Sequence, residues 1–356
     1  MQPFRSVLVT GHTGFKGGWL SLWLAHRGAA VHGYAAAPPT RPSFFETANV
    51  ESRLASNTIA DIRDHATLKK ALATARPEVV FHLAAQPLVR QSYRDPLETF
   101  DVNVMGTAHL LDAVRSVDSV RAVVIVTTDK CYENVDWEWP YRERDRLGGH
   151  DPYSASKACA ELVTQAYGRS FLAAAGIAVA TARAGNVIGG GDWAADRLIP
   201  DLLAAIDAGR SPVIRSPDAV RPWQHVLEPL AGYMMLAERL LASGPEFADA
   251  WNFGPDESAT RSVRWIVDRL CMRPAGPGWR HEPATGAHEA HSLRLDSSKA
   301  RHRLGWRSRW SLDEALSRTV EWHRAWRRGE DMAAVSLAQI EAHEERGAMP
   351  GLAKAS

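Results

Sequence analysis

Val7-Leu8-Val9-Thr10-Gly11-His12-Thr13-Gly14-Phe15-Lys16-Gly17 is the stretch on which the fold turns. A β-branched run ends in a glycine loop, and the loop opens a segment of helical period. Glycine gives such a turn its tight dihedrals and lets backbone approach a neighbour closely, so that amide N–H groups at the helix start can hold a pyrophosphate. Three glycines alone are a weak signal. Placed after a strand and before a helix, they predict a dinucleotide-binding start, with Gly11, His12, Gly14, Phe15 and Gly17 against the cofactor. His12 is expected to cap the turn.

Working outward, short runs rich in Val, Ile and Ala predict strands at residues 7–10, 31–34, 58–61, 79–83, 122–127 and 177–183. Between them, residues 17–25, 66–75, 103–116 and 154–173 carry apolar side chains at helical spacings. The alternation predicts an α/β fold, a Rossmann-like doubly wound parallel sheet covered on both faces. Past Ile188 the texture shifts toward Pro, Gly and Trp, which marks a smaller C-terminal substrate-binding lobe over about 189–225 and 257–330. Residues 1–188 and about 226–256 then form the dinucleotide-binding domain, and the charged stretch 331–356 reads as a peripheral helix with a loose end.

With 356 residues at 45% hydrophobic content the chain can bury a large core. Its 42 Lys+Arg nearly cancel 41 Asp+Glu, which argues against the basic field of a nucleic-acid binder or of a membrane-surface protein. No run approaches the roughly 20 apolar residues of a membrane span, and Met1–Ser6 has no signal-peptide layout, so a cytoplasmic protein is expected. Cys131, Cys159 and Cys271 have no metal-ligand spacing and are expected to be reduced and buried, with no metal bound.

Tyr153 and Lys157 stand four apart at the start of the long predicted helix, hence on one face. An ammonium there would favour the phenolate and lower the tyrosine from its ordinary pKa of about 10. Thr128, closing the strand before, is placed to hydrogen-bond a reacting hydroxyl. Asp61-Ile62, after the third strand, suits an adenine amino group.

The chain resembles the extended short-chain dehydrogenase/reductase family over nearly its whole length, and within it the CDP-sugar 4,6-dehydratases. The match is carried by TGHTGFKGGWLSLWL (10–24), HLAAQPLVR (82–90), TTDKCYEN (127–134), GGHDPYSASKACAEL (148–162), ARAGNVIGGGDWAADRLIP (182–200) and RPWQHVLEP (221–229). The resemblance implies NAD as cofactor, CDP-D-glucose as substrate, CDP-4-keto-6-deoxyglucose as product, and a homodimer or homotetramer joined through the helices near 103–116 and 154–173. It implicates Ala84 at the cofactor and Asn186, Arg197, Arg221 and His225 at the nucleotide sugar. Trp193 or Trp223 would stack on cytosine or serve as packing. His291 and Arg294 also match, with no role assigned.

Such a dehydratase oxidises C4, eliminates water across C5–C6 and returns the hydride to C6. It needs an acid and a base besides Tyr153, and Asp129-Lys130 supplies both where an epimerase has small residues. One departure concerns the cofactor: the strand end that ordinarily carries an acidic residue for the adenosine ribose reads Ala35-Ala36-Ala37, with Arg41 beyond. NADP stays open on that ground, and NAD is favoured because the hydride is recycled internally. A 4-epimerase or reductase is the second reading, and a non-catalytic dinucleotide sensor the third.

Overall fold

The computed structural model describes residues 4–271, 278–282 and 293–348. His291 and the last residues of the tail lie outside this range. The strands are β1 (Ser6–Thr10), β2 (Ala30–Ala35), β3 (Ser56–Ile59), β4 (Val79–His82), β5 (Ala122–Val126), β6 (Ala178–Ala184), β7 (Asn186–Ile188), β8 (Val213–Ile214), β9 (Val220–His225), β10 (Ala250–Phe253), β11 (Thr260–Ser262) and β12 (Arg280–His281).

A 7-stranded sheet runs in the order β10-β6-β5-β4-β1-β2-β3, every pair parallel. Parallel strands need helical crossovers, so both faces are covered and central strands are apolar throughout. Along β1, Val7 and Val9 join Phe81, Val124, Trp19, Trp23 and Leu230 on one face. Leu8 points the other way, to Val80, Val123, Leu72 and Leu110. The chain reverses direction across the sheet between β1 and β4, where the crevice of a doubly wound fold opens. The predicted fold class is the one observed.

A 3-stranded sheet, β11-β9-β7, lies beyond β6 in the chain, with its own core of Ile199, Leu202, Trp223, Ile266 and Leu316. Strand β3 sits two residues earlier than expected because its register pairs His32 with Ser56 and Ala35 with Ile59. Asp61 therefore lies in the loop after the strand. Two expected helices are each interrupted by a turn of π-helix, Asp101–Met105 before Gly106–Val114 and Gly168–Leu172 after Pro152–Tyr167.

The helix Met332–Ala348 is tied into the core: Ile340 and His343 are fully buried. Trp23 Nε1 donates to Glu344 at 2.8 Å, and His343 Nε2 lies 3.3 Å from the buried Glu228. Its apolar face was hidden in a charged sequence. Among the described residues, no helix is long and apolar enough to cross a membrane, and no group of His, Cys, Asp and Glu could hold a metal ion. Cys131, Cys159 and Cys271 are all free, and only Cys131 is fully buried.

Candidate active site

The glycine loop leaves β1 at the reversal point. Gly11 has φ +75°, and a Cβ on it would stand 2.6 Å from the Ala84 nitrogen; one on Gly17 would stand 2.1 Å from the Gly11 carbonyl. The loop is thus pressed flat on the end of β4, where Thr10 Oγ1 accepts from the Leu83 and Ala84 amides at 3.2 Å. Gly14 faces open space except for the Gly11 carbonyl, and as N-cap of the helix Phe15–His26 it offers no side-chain acceptor. With no acidic residue in the first turn either, the helix start presents N–H groups suited to an anion. These residues fit a pyrophosphate-bearing dinucleotide.

His12 turns its ring into the fold. Its ring is fully buried against Gly33 and Phe45, and Nε2 meets Asn57 Oδ1 at 2.8 Å. Burial holds it below the ordinary histidine value and favours the neutral ring. Phe15 reaches across to Gly189, where an added Cβ would meet its ring at 3.1 Å. Asp61 is held by Arg63, whose amide, Nε and Nη2 donate to it at 2.8, 2.9 and 2.6 Å, while Ile62 is buried against Gly106. Ala37 is exposed, and Arg41 points outward toward Glu46 at 3.8 Å.

The reactive groups come together at the ends of β5 and the helix Pro152–Tyr167. Asp151 caps that helix by accepting from the Ser154 amide at 2.9 Å, and Pro152 follows it, which fixes Tyr153 in the first turn. Thr128 hydrogen-bonds the Tyr153 phenol and donates to Asp129 Oδ1 at 3.0 Å. Lys130 Nζ lies 3.3 Å from the same oxygen; Asp129 is fully buried, whereas the Lys130 side chain is 32% exposed. Asp129 Oδ2, beside Gly185, has no hydrogen-bond partner among the described residues.

Lys157 departs from expectation. Its ammonium donates to the Val126 carbonyl at 3.2 Å, not to the phenol. Burial draws it down to about 8, with Glu161 and then Cys131 pulling it back. Tyr153 is pushed up to about 12 by burial, against the pull of the Thr128 hydrogen bond, with Asp129 adding to the rise. The protein alone therefore does not lower the phenol.

Lys16 is a residue the sequence reading passed over. It is partly buried inside the same cleft, and burial lowers its ammonium to about 7; Arg197 adds to the fall and Asp129 opposes it. The available signal was a charged residue in a loop that otherwise favours small or apolar ones. Arg197, held by Asp192 at 2.9 Å just before the helix Leu198–Asp207, also faces Tyr153 electrostatically. Asn186 opens β7 half-buried beside Trp223, and Arg221 lies on β9 opposite Arg261.

Three side chains named for the substrate engage in aromatic or core packing, His225 and Trp223 fully buried and Trp193 partly. His225 is fully buried, edge-on to Trp310 and Trp19 at 4.8 and 6.1 Å, and accepts from the Leu227 amide at 3.3 Å. Trp193 packs edge-on against Trp322 and Trp326, and Trp223 is buried with its Nε1 on the Arg261 carbonyl at 3.0 Å. Aromatic packing between the C-terminal helices and the sheet claims these side chains.

A glycine cradle at the reversal point of a doubly wound sheet, with Thr128, Tyr153 and Lys157 gathered beside it, defines a short-chain dehydrogenase/reductase of the extended kind. Residues 8–319 match the profile of the family described as GDP-mannose 4,6 dehydratase, and the chain belongs to that family. A CDP-glucose 4,6-dehydratase of Salmonella typhimurium is 52% identical over 342 residues, covering 94% of this chain and 95% of that protein. A dTDP-glucose 4,6-dehydratase of Xanthomonas campestris pv. campestris is 27% identical over 89% of this chain and 92% of its own length. Among solved structures, a double mutant of the dTDP-glucose 4,6-dehydratase DesIV from Streptomyces venezuelae with NAD and DAU bound is similar at TM-score 0.78. It is 26% identical and covers 92% of this chain and 99% of its own.

Proposed function

We propose that this chain is an NAD-dependent hydro-lyase that converts CDP-D-glucose to CDP-4-keto-6-deoxy-D-glucose and water. The observation that carries the reading is the Asp129–Lys130 pair, a buried carboxylate and a half-exposed amine 3.3 Å apart beside Thr128. A 4-epimerase or reductase has no use for this second acid and base. The 52% likeness to a CDP-glucose 4,6-dehydratase supports the nucleotide. The smaller sheet and its helices form the nucleotide-sugar lobe in this reading, and Arg197, Asn186 and Arg221 hold the diphosphate and sugar.

The backbone of Gly11, Gly14 and Gly17 would hold the dinucleotide pyrophosphate, with Asp61 and Ile62 serving the adenine and Tyr153 and Lys157 the ring end. NAD, when bound, supplies the two-electron acceptor for C4 and a positive charge beside the phenol. Tyr153 takes the C4 hydroxyl proton while Thr128 orients that hydroxyl. The ketone acidifies C5–H, because the carbanion is delocalised as an enolate. A proton shared across the Lys130–Asp129 contact leaves a neutral amine to take the C5 proton and a protonated carboxyl for the departing 6-hydroxyl. When the hydride enters at C6, Lys130 returns a proton to C5; the proton on Tyr153 passes to solvent and Asp129 regains one.

The test is Lys130→Met with C5-deuterated CDP-glucose. NADH absorbance in a single turnover should persist while label loss and product release fall by about a hundredfold or more. Label washout at the parent rate would remove Lys130 as the base. The same reading makes the protein a cytoplasmic homodimer or homotetramer. Leu97, Met105, Leu162 and Phe171 are exposed large apolar side chains on neighbouring helical segments, the elements through which a second copy docks in this reading. Sedimentation at the mass of a single chain would refute the assembly.

A further inference from the structure

Beneath the cleft lies a polar knot that the reaction itself does not touch. Glu161 and Arg183 are both fully buried and paired bidentately, Nε to Oε1 at 2.9 Å and Nη2 to Oε2 at 2.8 Å. Threonines take the remaining carboxylate positions: Thr127 donates to Oε1 at 2.5 Å and Thr181 to Oε2 at 2.7 Å. Arg183 Nη1 donates to the Tyr132 hydroxyl at 2.7 Å and to the Glu143 carbonyl at 3.1 Å, and Tyr132 donates onward to Asn252 Oδ1 at 2.7 Å.

Three members of this knot stand next to reactive groups. Thr127 precedes Thr128, Tyr132 closes the turn Asp129–Cys131 that carries Lys130, and Glu161 lies one helical turn beyond Lys157 on the same face. A buried ion pair is a poor source of stability, because removing two charges from water costs about as much as their attraction returns. Its use must then lie in geometry and in charge.

We propose that the Glu161–Arg183 pair is the positioning device of the active site. It locks the strand end bearing Thr128, the turn bearing Asp129 and Lys130, and the helix bearing Tyr153 and Lys157 into one register, and it keeps a negative charge beside the Lys157 ammonium. The first role follows from the hydrogen bonds, since misplacing reacting groups by about 1 Å can cost a hundredfold in rate. The second follows from the opposition at Lys157, where burial favours the neutral amine and Glu161 is the strongest influence against it. Without the carboxylate, Lys157 gives up its proton at a lower pH. The catalytic consequence rests on the dehydratase reading; the Lys157 consequence does not.

The test is the double variant Glu161→Met/Arg183→Met, in which both charges leave together and no lone buried charge remains. Lys157 is titrated directly by carbon NMR of labelled lysine, assigned with Lys157→Arg. Its midpoint should fall by about half a unit or more, and kcat should fall at least about tenfold with KM for CDP-glucose within about threefold. An unmoved Lys157 titration with parent kcat overturns the proposal. Where the parent protein itself makes no product from CDP-glucose, a shifted Lys157 titration in the double variant upholds the proposal and sinks the dehydratase reading instead. Should the double variant not fold, Glu161→Asp carries the test: the charge stays, so the titration holds, while kcat drops about tenfold. Parent kcat in Glu161→Asp is the overturning result there.

Discussion

The proposed dinucleotide end of the cleft presents backbone: a loop with φ +75° at Gly11, pressed on Ala84, and an uncapped helix start. The proposed sugar end presents side chains carried on loops and short strands, Arg197 tied to Asp192 and Lys130 lying on Asp129. Backbone contacts are set by packing and vary little with side-chain identity. Side-chain contacts depend on which way each residue faces, and two that the sequence nominated, His225 and Trp193, face into aromatic packing. A site built from backbone is read from spacing; a site built from side chains requires the fold.

The contrast can be broken at several points. Tyr153→Phe removes the one group shared by both ends, and turnover should fall by about a hundred- to ten-thousandfold in a steady-state assay. Gly17→Ala strikes the backbone end, since its Cβ would lie 2.1 Å from the Gly11 carbonyl. Distortion of roughly 1–3 kcal/mol should weaken NAD binding by about tenfold or more, read by fluorescence titration, with no direct effect on the sugar site. At the sugar end, Arg197→Met should raise KM for CDP-glucose by about tenfold and leave NAD affinity alone. His225→Phe, a swap inside the core, should keep KM within about twofold and lower Tm by a few degrees; an equal KM effect from both variants would erase the distinction drawn here.

The smallest effect belongs to Lys16, held to about 7 mainly by burial. A lysine lowered in this way is charged below that value and neutral above it. NAD affinity should therefore decline a few-fold as pH rises through 7, and Lys16→Met should flatten the profile. A decline of the same size in the variant would move the titration to another group.

Much of the scaffold was legible because its signals are periodic. The glycine loop, the alternating strands and the helix bearing Tyr153 follow from spacing, and the parallel sheet follows from them. Strand β3 was misplaced by two residues because an edge strand with exposed positions has weak alternation. The spacing put Lys157 on the face of Tyr153 but could not show that its ammonium donates to the Val126 carbonyl. Glu161 and Arg183 were invisible as a pair because they come from different elements, 22 positions apart, and meet only when β6 docks beside the helix.

The contact between Trp23 and Glu344 spans 321 positions of sequence. On a translating ribosome the first helix emerges long before the helix that seals it. At about 5–20 residues per second, the tryptophan face of Phe15–His26 waits on the order of tens of seconds for its cover. Over that interval the nascent chain displays an apolar surface of the kind that folding helpers bind, so its yield in a cell depends on how well that delay is tolerated.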